Sequence, residues 1–113
     1  MQFMKLIAAL LLYLSTALPC FSSPGIDLYN QGRLHEAKQT LEQSVKTETA
    51  GVEEMAVLGM TYTRLAMYTK AEQILTEARQ LAPEDPQVLN ALAMLEFATG
   101  DFETAYSWMD RSQ

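Results

Sequence analysis

The feature that most constrains this chain is a repeat with a period of 34 residues. The stretch from Leu58 to Pro83, LGMTYTRLAMYTKAEQILTEARQLAP, can be laid over the residues before and after it. Ala71 is then matched by Ala37 and Ala105, Leu75 by Leu41 and Met109, and Tyr68 by Leu34 and Phe102. Ala78 is matched by Ser44 and Ser112, Gly59 by Gly25 and Ala93, and Leu58 by Leu92. A fixed period held across three copies marks a solenoid, a stack of like units in which none buries its apolar face alone.

Inside each copy the apolar spacing is helical, and no strand pattern is apparent. Pro24 opens a first helix over Gly25–Gln31, because proline in the first turn forfeits no intrahelical bond. Gly32 can end it with a left-handed backbone. A second helix runs from Leu34 to Lys46, with Leu34, Ala37, Leu41, Ser44 and Val45 as its buried stripe and Glu36, Gln39 and Gln43 on the polar face. The polar segment KTETAG then breaks the periodicity and reads as a turn. The third helix spans Val52 to Ala66, with Met55, Leu58, Gly59 and Tyr62 facing its partner. Gly59 in mid-helix costs about 1 kcal/mol against alanine, a loss that close approach of the paired helix would offset. Ala66 stands where the other copies have Gly32 and Gly100, so a positive φ there would strain it. The fourth helix, Thr69 to Leu81, buries Ala71, Ile74, Leu75 and Ala78. Asp85 and Pro86 read as N-cap and first-turn proline of a fifth helix that ends near Thr99. Gly100 and Asp101 make a turn, and a sixth helix starts at Phe102. The fold class expected is all-α.

These positions resemble the tetratricopeptide repeat (TPR) family. Leu58, Gly59, Tyr62, Ala71, Leu75, Ala78 and Pro83 occupy that family's pattern in order. The third copy fits through Leu92, Ala93, Gly100, Phe102, Ala105 and Met109, with Glu96 in the tyrosine position. The first fits through Gly25, Gly32, Leu34, Ala37, Leu41 and Ser44, with Leu28 in that position. The resemblance implies a right-handed α-solenoid of three helix-turn-helix pairs, with repeats at about 24–50, 51–84 and 85–113. It specifies a fold strongly and a function weakly.

The first residues, MQFMKLIAALLLYLSTALPCFSS, have a different character. One cation, Lys5, precedes an apolar run and then small and polar residues, the layout of a secretory signal peptide over 1–22. The run from Leu6 to Leu18 is 13 residues, short of the ~20 that a membrane span needs. Cleavage after Ala17 and cleavage after Ser22 both satisfy the small-x-small rule. An uncleaved anchor and a lipidated Cys20 are the alternatives, though Ala17-Leu18-Pro19 suits lipidation badly. With one cysteine no intramolecular disulfide can form. The expected location is the exterior, which in a bacterium means the periplasm or cell envelope.

Beyond the leader, seven cations face fourteen acids. Such a domain is a poor ligand for nucleic acid, which needs clustered Lys and Arg, and for an anionic membrane surface. Membrane attachment would come only through an uncleaved or lipidated N-terminus. No catalytic constellation is visible, and neither a cofactor nor a metal site is expected. The lone His35 reads as solvated surface, and Glu53-Glu54 and Glu84-Asp85 read as acids complementing helix starts.

Function is therefore expected on a surface. The resemblance implies a concave groove lined by the first helix of each pair. Register places Ile26, Met60 and Met94 in one row, and Tyr29, Thr63 and Phe97 in the next. Asn30, Arg64 and Ala98 form a third; Val57 and Ala91 belong to another, with Asn90 near them. An apolar groove with few polar handles suits a partner peptide or helix, and methionine adapts to varied partners. The same stripe also fits a packed core. A carboxylate clamp of the kind some TPR proteins use is missing, since Arg64 is the single cation on these rows. The sixth helix offers a second candidate. Tyr106 and Met109 could pack back on the fifth helix, or Trp108 with Tyr106 and Met109 could form an exposed docking edge for self-association into a homo-oligomer or for a larger protein. The leading expectation is a non-enzymatic scaffold that binds an envelope protein, in the manner of exported TPR proteins that aid pilus, secretion or outer-membrane assembly.

Overall fold

The computed structural model describes residues 23–112; the leader, with Cys20 and both cleavage sites, lies outside the described residues. Six helices follow one another: α1 (Pro24–Asn30), α2 (Leu34–Lys46), α3 (Val52–Arg64), α4 (Tyr68–Leu81), α5 (Pro86–Thr99) and α6 (Phe102–Arg111). Among the described residues there is no strand, and the fold is all-α.

Local chemistry starts and stops these helices. The Asp85 side chain accepts hydrogen bonds from the backbone N–H groups of Gln87 (2.9 Å) and Val88 (3.3 Å), ahead of Pro86 in the first turn of α5. Asp101 accepts from Thr104 N–H at 3.1 Å and caps α6. Ser23 does the same for α1, more weakly, at 3.5 Å to Ile26. Satisfying an N-terminal donor in this way typically contributes about 1 kcal/mol.

Each pair turns through one left-handed residue, at Gly32 (φ +78°), Ala66 (φ +59°) and Gly100 (φ +90°). The bonding is the same in all three. The left-handed residue donates to the carbonyl three back, and its successor donates to the one five back: Arg33 to Leu28, Met67 to Tyr62, and Asp101 to Glu96. This is the Schellman arrangement. The position does require positive φ, so Ala66 carries the strain expected of it, about 1–2 kcal/mol for an L-residue with a Cβ. It also ends α3 at Arg64 rather than at Ala66 itself.

The connections between pairs are not alike. After α2 the chain turns through Glu48 at φ +59°, with the Thr47 and Thr49 hydroxyls both donating to the Ser44 carbonyl. After α4 the corresponding residue, Ala82, is extended at φ −144° and leads into Pro83. Both connections still deliver the next N-cap in register, at Gly51 and Asp85.

The first helices pack on one another in sequence, α1 on α3 and α3 on α5. Each second helix packs on its own partner and on the next first helix, α2 on α3 and α4 on α5. The backbones of α2 and α4, and of α4 and α6, do not approach. Helix α3 therefore has neighbours on four sides and is the most buried. Its Thr61 and Thr63 hydroxyls donate to the Val57 and Gly59 carbonyls at 2.7 and 2.8 Å, which lets two polar side chains sit in the core. Leu41, Leu58, Leu75, Val88 and Leu89 are fully enclosed.

Gly59 has the expected reason to be glycine. A Cβ there would overlap the Leu75 side chain, and one at Gly25 would overlap Leu41. In the third pair the equivalent residue is Ala93, which already carries a methyl group. In that pair the leucine register is held by Met109, an unbranched thioether in place of the branched leucine.

Candidate partner-binding face and a cleft between pairs

The row Ile26, Met60 and Met94 has one residue on each of α1, α3 and α5, and all three are half-buried. Asn30, Arg64, Ala98 and Asn90 are exposed, and Tyr29 is half-buried. The Arg64 guanidinium lies 5.5 Å from the centre of the Tyr29 ring and so bridges α3 to α1. Phe97 is 40% exposed at the far end of the Tyr29 row. Three residues on the expected groove rows do not reach the surface. Val57 is only 3% exposed, Ala91 is fully buried, and Thr63 is closed in with its hydroxyl held by Gly59. Val57 and Thr63 lie on α3, which has four packed neighbours, and Ala91 lies on α5, which packs on α3, α4 and α6.

The candidate edge on α6 divides in two. Trp108 is half-buried and packs on the core, with its Nε1–H buried and without a hydrogen-bond acceptor among the described residues. The guanidinium groups of Arg79 and Arg111 each lie 5.1 Å from its ring centre. Trp108 is therefore a packing residue and not the exposed edge. Phe102 (54%), Tyr106 (61%) and Met109 (39%) are exposed instead. Tyr106 reaches back to α5 through an edge-to-face contact with Phe97 at 5.5 Å, and Phe102 meets the same ring at 5.3 Å.

The structure also holds a feature that the pattern of residues did not suggest. A cleft of about 390 Å³ opens between α2 and α4. Its floor is Leu58 and Tyr62 of α3, its apolar walls are Val45 and Ile74, and its rim carries Glu42, Lys46, Lys70, Gln73 and Glu77. The Tyr62 hydroxyl donates to Glu42 at 2.7 Å, and Lys70 sits 5.9 Å from the ring centre. Burial, then the bond to Glu42 and its negative charge, hold the phenol well above its usual range, so it remains a donor at neutral pH. The signal for this cleft was a comparison between copies. Val45, Ile74 and Glu77 are followed 34 residues on by Arg79, Trp108 and Arg111, so an isoleucine in one gap answers to a tryptophan in the next.

A smaller cavity, about 170 Å³, lies between α4 and α5 and is lined by Tyr68, Glu72, Leu95, Glu96 and Thr99. Burial raises the Glu96 carboxyl, and the charges of Asp101 and Glu72 raise it further. Among the described residues no three His, Cys, Asp or Glu side chains are placed to hold a metal ion, and no helix is long and apolar enough to cross a membrane. No model of a known protein family matches the chain, and a search of curated proteins finds no significant relative.

Proposed function

We propose that this chain is an exported, TPR-like α-solenoid of three helix pairs that acts as a non-enzymatic scaffold. Its partner is a peptide or helix of another envelope protein, held along the face made by α1, α3 and α5. Assembly of pili, secretion machinery or the outer membrane is the class of task that suits such a scaffold. The observation that carries this reading is the half-exposed row Ile26, Met60 and Met94. One apolar side chain from each first helix, at one register, gives a continuous strip with the exposed polar groups of Asn30, Arg64 and Asn90 beside it. A strip of that kind fits the apolar face of a helix or the alternate side chains of an extended peptide, and exposed contiguous apolar surface commonly marks an interaction site.

The test is capture of partners from the native cell envelope by the wild-type chain and by the double variant Met60→Glu, Met94→Glu. Both residues are half-exposed, so the variant is expected to keep its helical circular dichroism and its cooperative melting. Recovery of a partner by the wild type alone supports the reading. Recovery of the same partner by both moves the site off this face.

A further inference from the structure

We propose that the cleft between α2 and α4 is a binding site for a single tryptophan side chain of another polypeptide, separate from the α1–α3–α5 face. The cleft lies on the other side of α3 from that face. Its floor residues Leu58 and Tyr62 stand one turn apart on one side of the helix. Met60, two residues from each, points about 200° away at ~100° per residue. The occupant is read from the sister gap between α4 and α6. There the residue 34 on from Ile74 is Trp108, packed on the core, with the Arg79 guanidinium 5.1 Å from its ring centre. The space between two second helices whose backbones do not approach is thus filled, within this chain, by an indole. In the first gap the shorter Ile74 holds that position, Val45 stands where the sister gap has Arg79, and about 390 Å³ stays open. The open joint has the same plan with the aromatic filler missing, and it is apolar on its floor and both walls.

The polar groups of the cleft fit an indole on an uncharged peptide. Glu42, on the rim, is held by the Tyr62 hydroxyl, which donates to its Oε2 at 2.7 Å. Its other oxygen, Oε1, accepts no hydrogen bond among the described residues. An indole carries one N–H donor and no acceptor. With its ring between Val45 and Ile74, it can give that N–H to Glu42, whereas a phenylalanine or leucine side chain has no donor for it. The Lys70 ammonium, 5.9 Å from the Tyr62 ring centre, stands beside the floor, where an incoming ring adds a second π-face for it. The rim carries two cations, Lys46 and Lys70, against two acids, Glu42 and Glu77, and none of the four is in an ion pair among the described residues. A balanced rim of this kind gives no net attraction to a phosphate or to a polycation. It suits peptide backbone on either side of the inserted ring, with the Gln73 amide offering both a donor and an acceptor. A second copy of this chain is a poor source of the indole, because its only tryptophan is Trp108, already packed in its own second gap.

The probe is an end-capped, uncharged peptide, Gly-Ser-Trp-Ser-Gly, compared with the same peptide carrying Phe or Ala in place of Trp. Each is titrated into the full chain and followed by NMR at the methyl groups of Val45 and Ile74. The Trp peptide is expected to shift both methyls saturably. The Phe peptide should bind about tenfold more weakly, the loss of one charge-assisted hydrogen bond, and the Ala peptide should cause no shift. Glu42→Ala should bring the Trp and Phe peptides level. Ile74→Trp, which copies the sister gap, should abolish binding in a chain that still melts cooperatively; Val45→Arg, copying the other sister residue, does the same test from the opposite wall. Met60→Glu with Met94→Glu should leave binding unchanged, which separates this site from the face proposed above. Absence of any saturable shift, or shifts confined to the Met60 and Met94 methyls, overturns the site, as does binding that survives in folded Ile74→Trp and Val45→Arg chains. Shifts that the Ala peptide reproduces overturn the aromatic occupant, and equal binding of the Trp and Phe peptides to the native chain overturns the choice of indole. Val45 and Ile74 methyls that shift with chain concentration alone would make the occupant a second copy and overturn the proposal.

Discussion

The gap between α2 and α4 and the gap between α4 and α6 are built on the same plan and finished differently. In each, the backbones of two second helices stand apart, and side chains must fill the space between them. In the first gap the central residue is Ile74, and an open cleft of about 390 Å³ remains above Leu58 and Tyr62. In the second it is Trp108, whose ring centre lies 5.1 Å from the guanidinium groups of both Arg79 and Arg111. Even the floor differs, with Tyr62 bonded to Glu42 in one pair and Glu96 crowded by other acids at the same register in the next. A repeating backbone therefore does not give repeating surfaces. One residue per copy decides whether a gap becomes a cleft that a partner's side chain could enter or a closed joint that locks the next pair in place.

Exchanging the two finishes puts the largest expected effect on the closed joint. Trp108→Ala should cost about 3 kcal/mol, the low end for removing a large aromatic side chain, because the ring is only half-buried. Chemical denaturation would show it as a lower midpoint. In the companion substitution Ile74→Trp, the open cleft already offers the volume, so the midpoint should move by about 1 kcal/mol or less, well below the usual cost of overpacking. A loss as large as that of Trp108→Ala would mean that the two gaps are not equivalent sites.

The smallest effect concerns Glu96. Its folded-state carboxyl lies above the ordinary value of 4.5, so the charged form is disfavoured by folding. The resulting destabilisation is fully present above the folded pKa. It fades as pH falls through that value and is gone below the unfolded one. Glu96→Gln should therefore raise the melting temperature slightly at neutral pH and leave it unchanged once the pH drops below the ordinary glutamate range. A gain that persisted at low pH would assign it to packing and not to charge.

How much of this was legible in the sequence follows from the range of the forces involved. Helix limits were legible because they depend on neighbours in the chain. Pro24, Gly32, Asp85, Pro86 and Gly100 each act within a turn of where they stand, and the strain at Ala66 followed from its register with two glycines. The close approach at Gly59 could be anticipated for the same reason. The left-handed Glu48 could not, since no glycine marks it and its support comes from the Thr47 and Thr49 hydroxyls. Register places Val57, Thr63 and Ala91 on the open face because it ranks residues by direction alone, whereas burial depends on how many helices surround them. Register puts Trp108 on an edge, but its surroundings include Arg79, a residue of another pair reached across a gap between backbones. The sequence allows Tyr106 and Met109 to be either edge or packing residues. Tyr106 is both, touching Phe97 yet mostly exposed, and Met109 is exposed.

The contrast between the gaps depends on one claim, that Trp108 of α6 closes the second gap against α4. Trp108 is the only tryptophan in the chain, so its indole N–H gives a single, unambiguous proton resonance. The measurement is hydrogen exchange at that N–H by NMR, in the native chain. Slow exchange is expected, released only with the unfolding of α6, because Nε1 is fully buried. Exchange at the rate of a free indole, in a chain whose α3 and α4 amides stay protected, would contradict it.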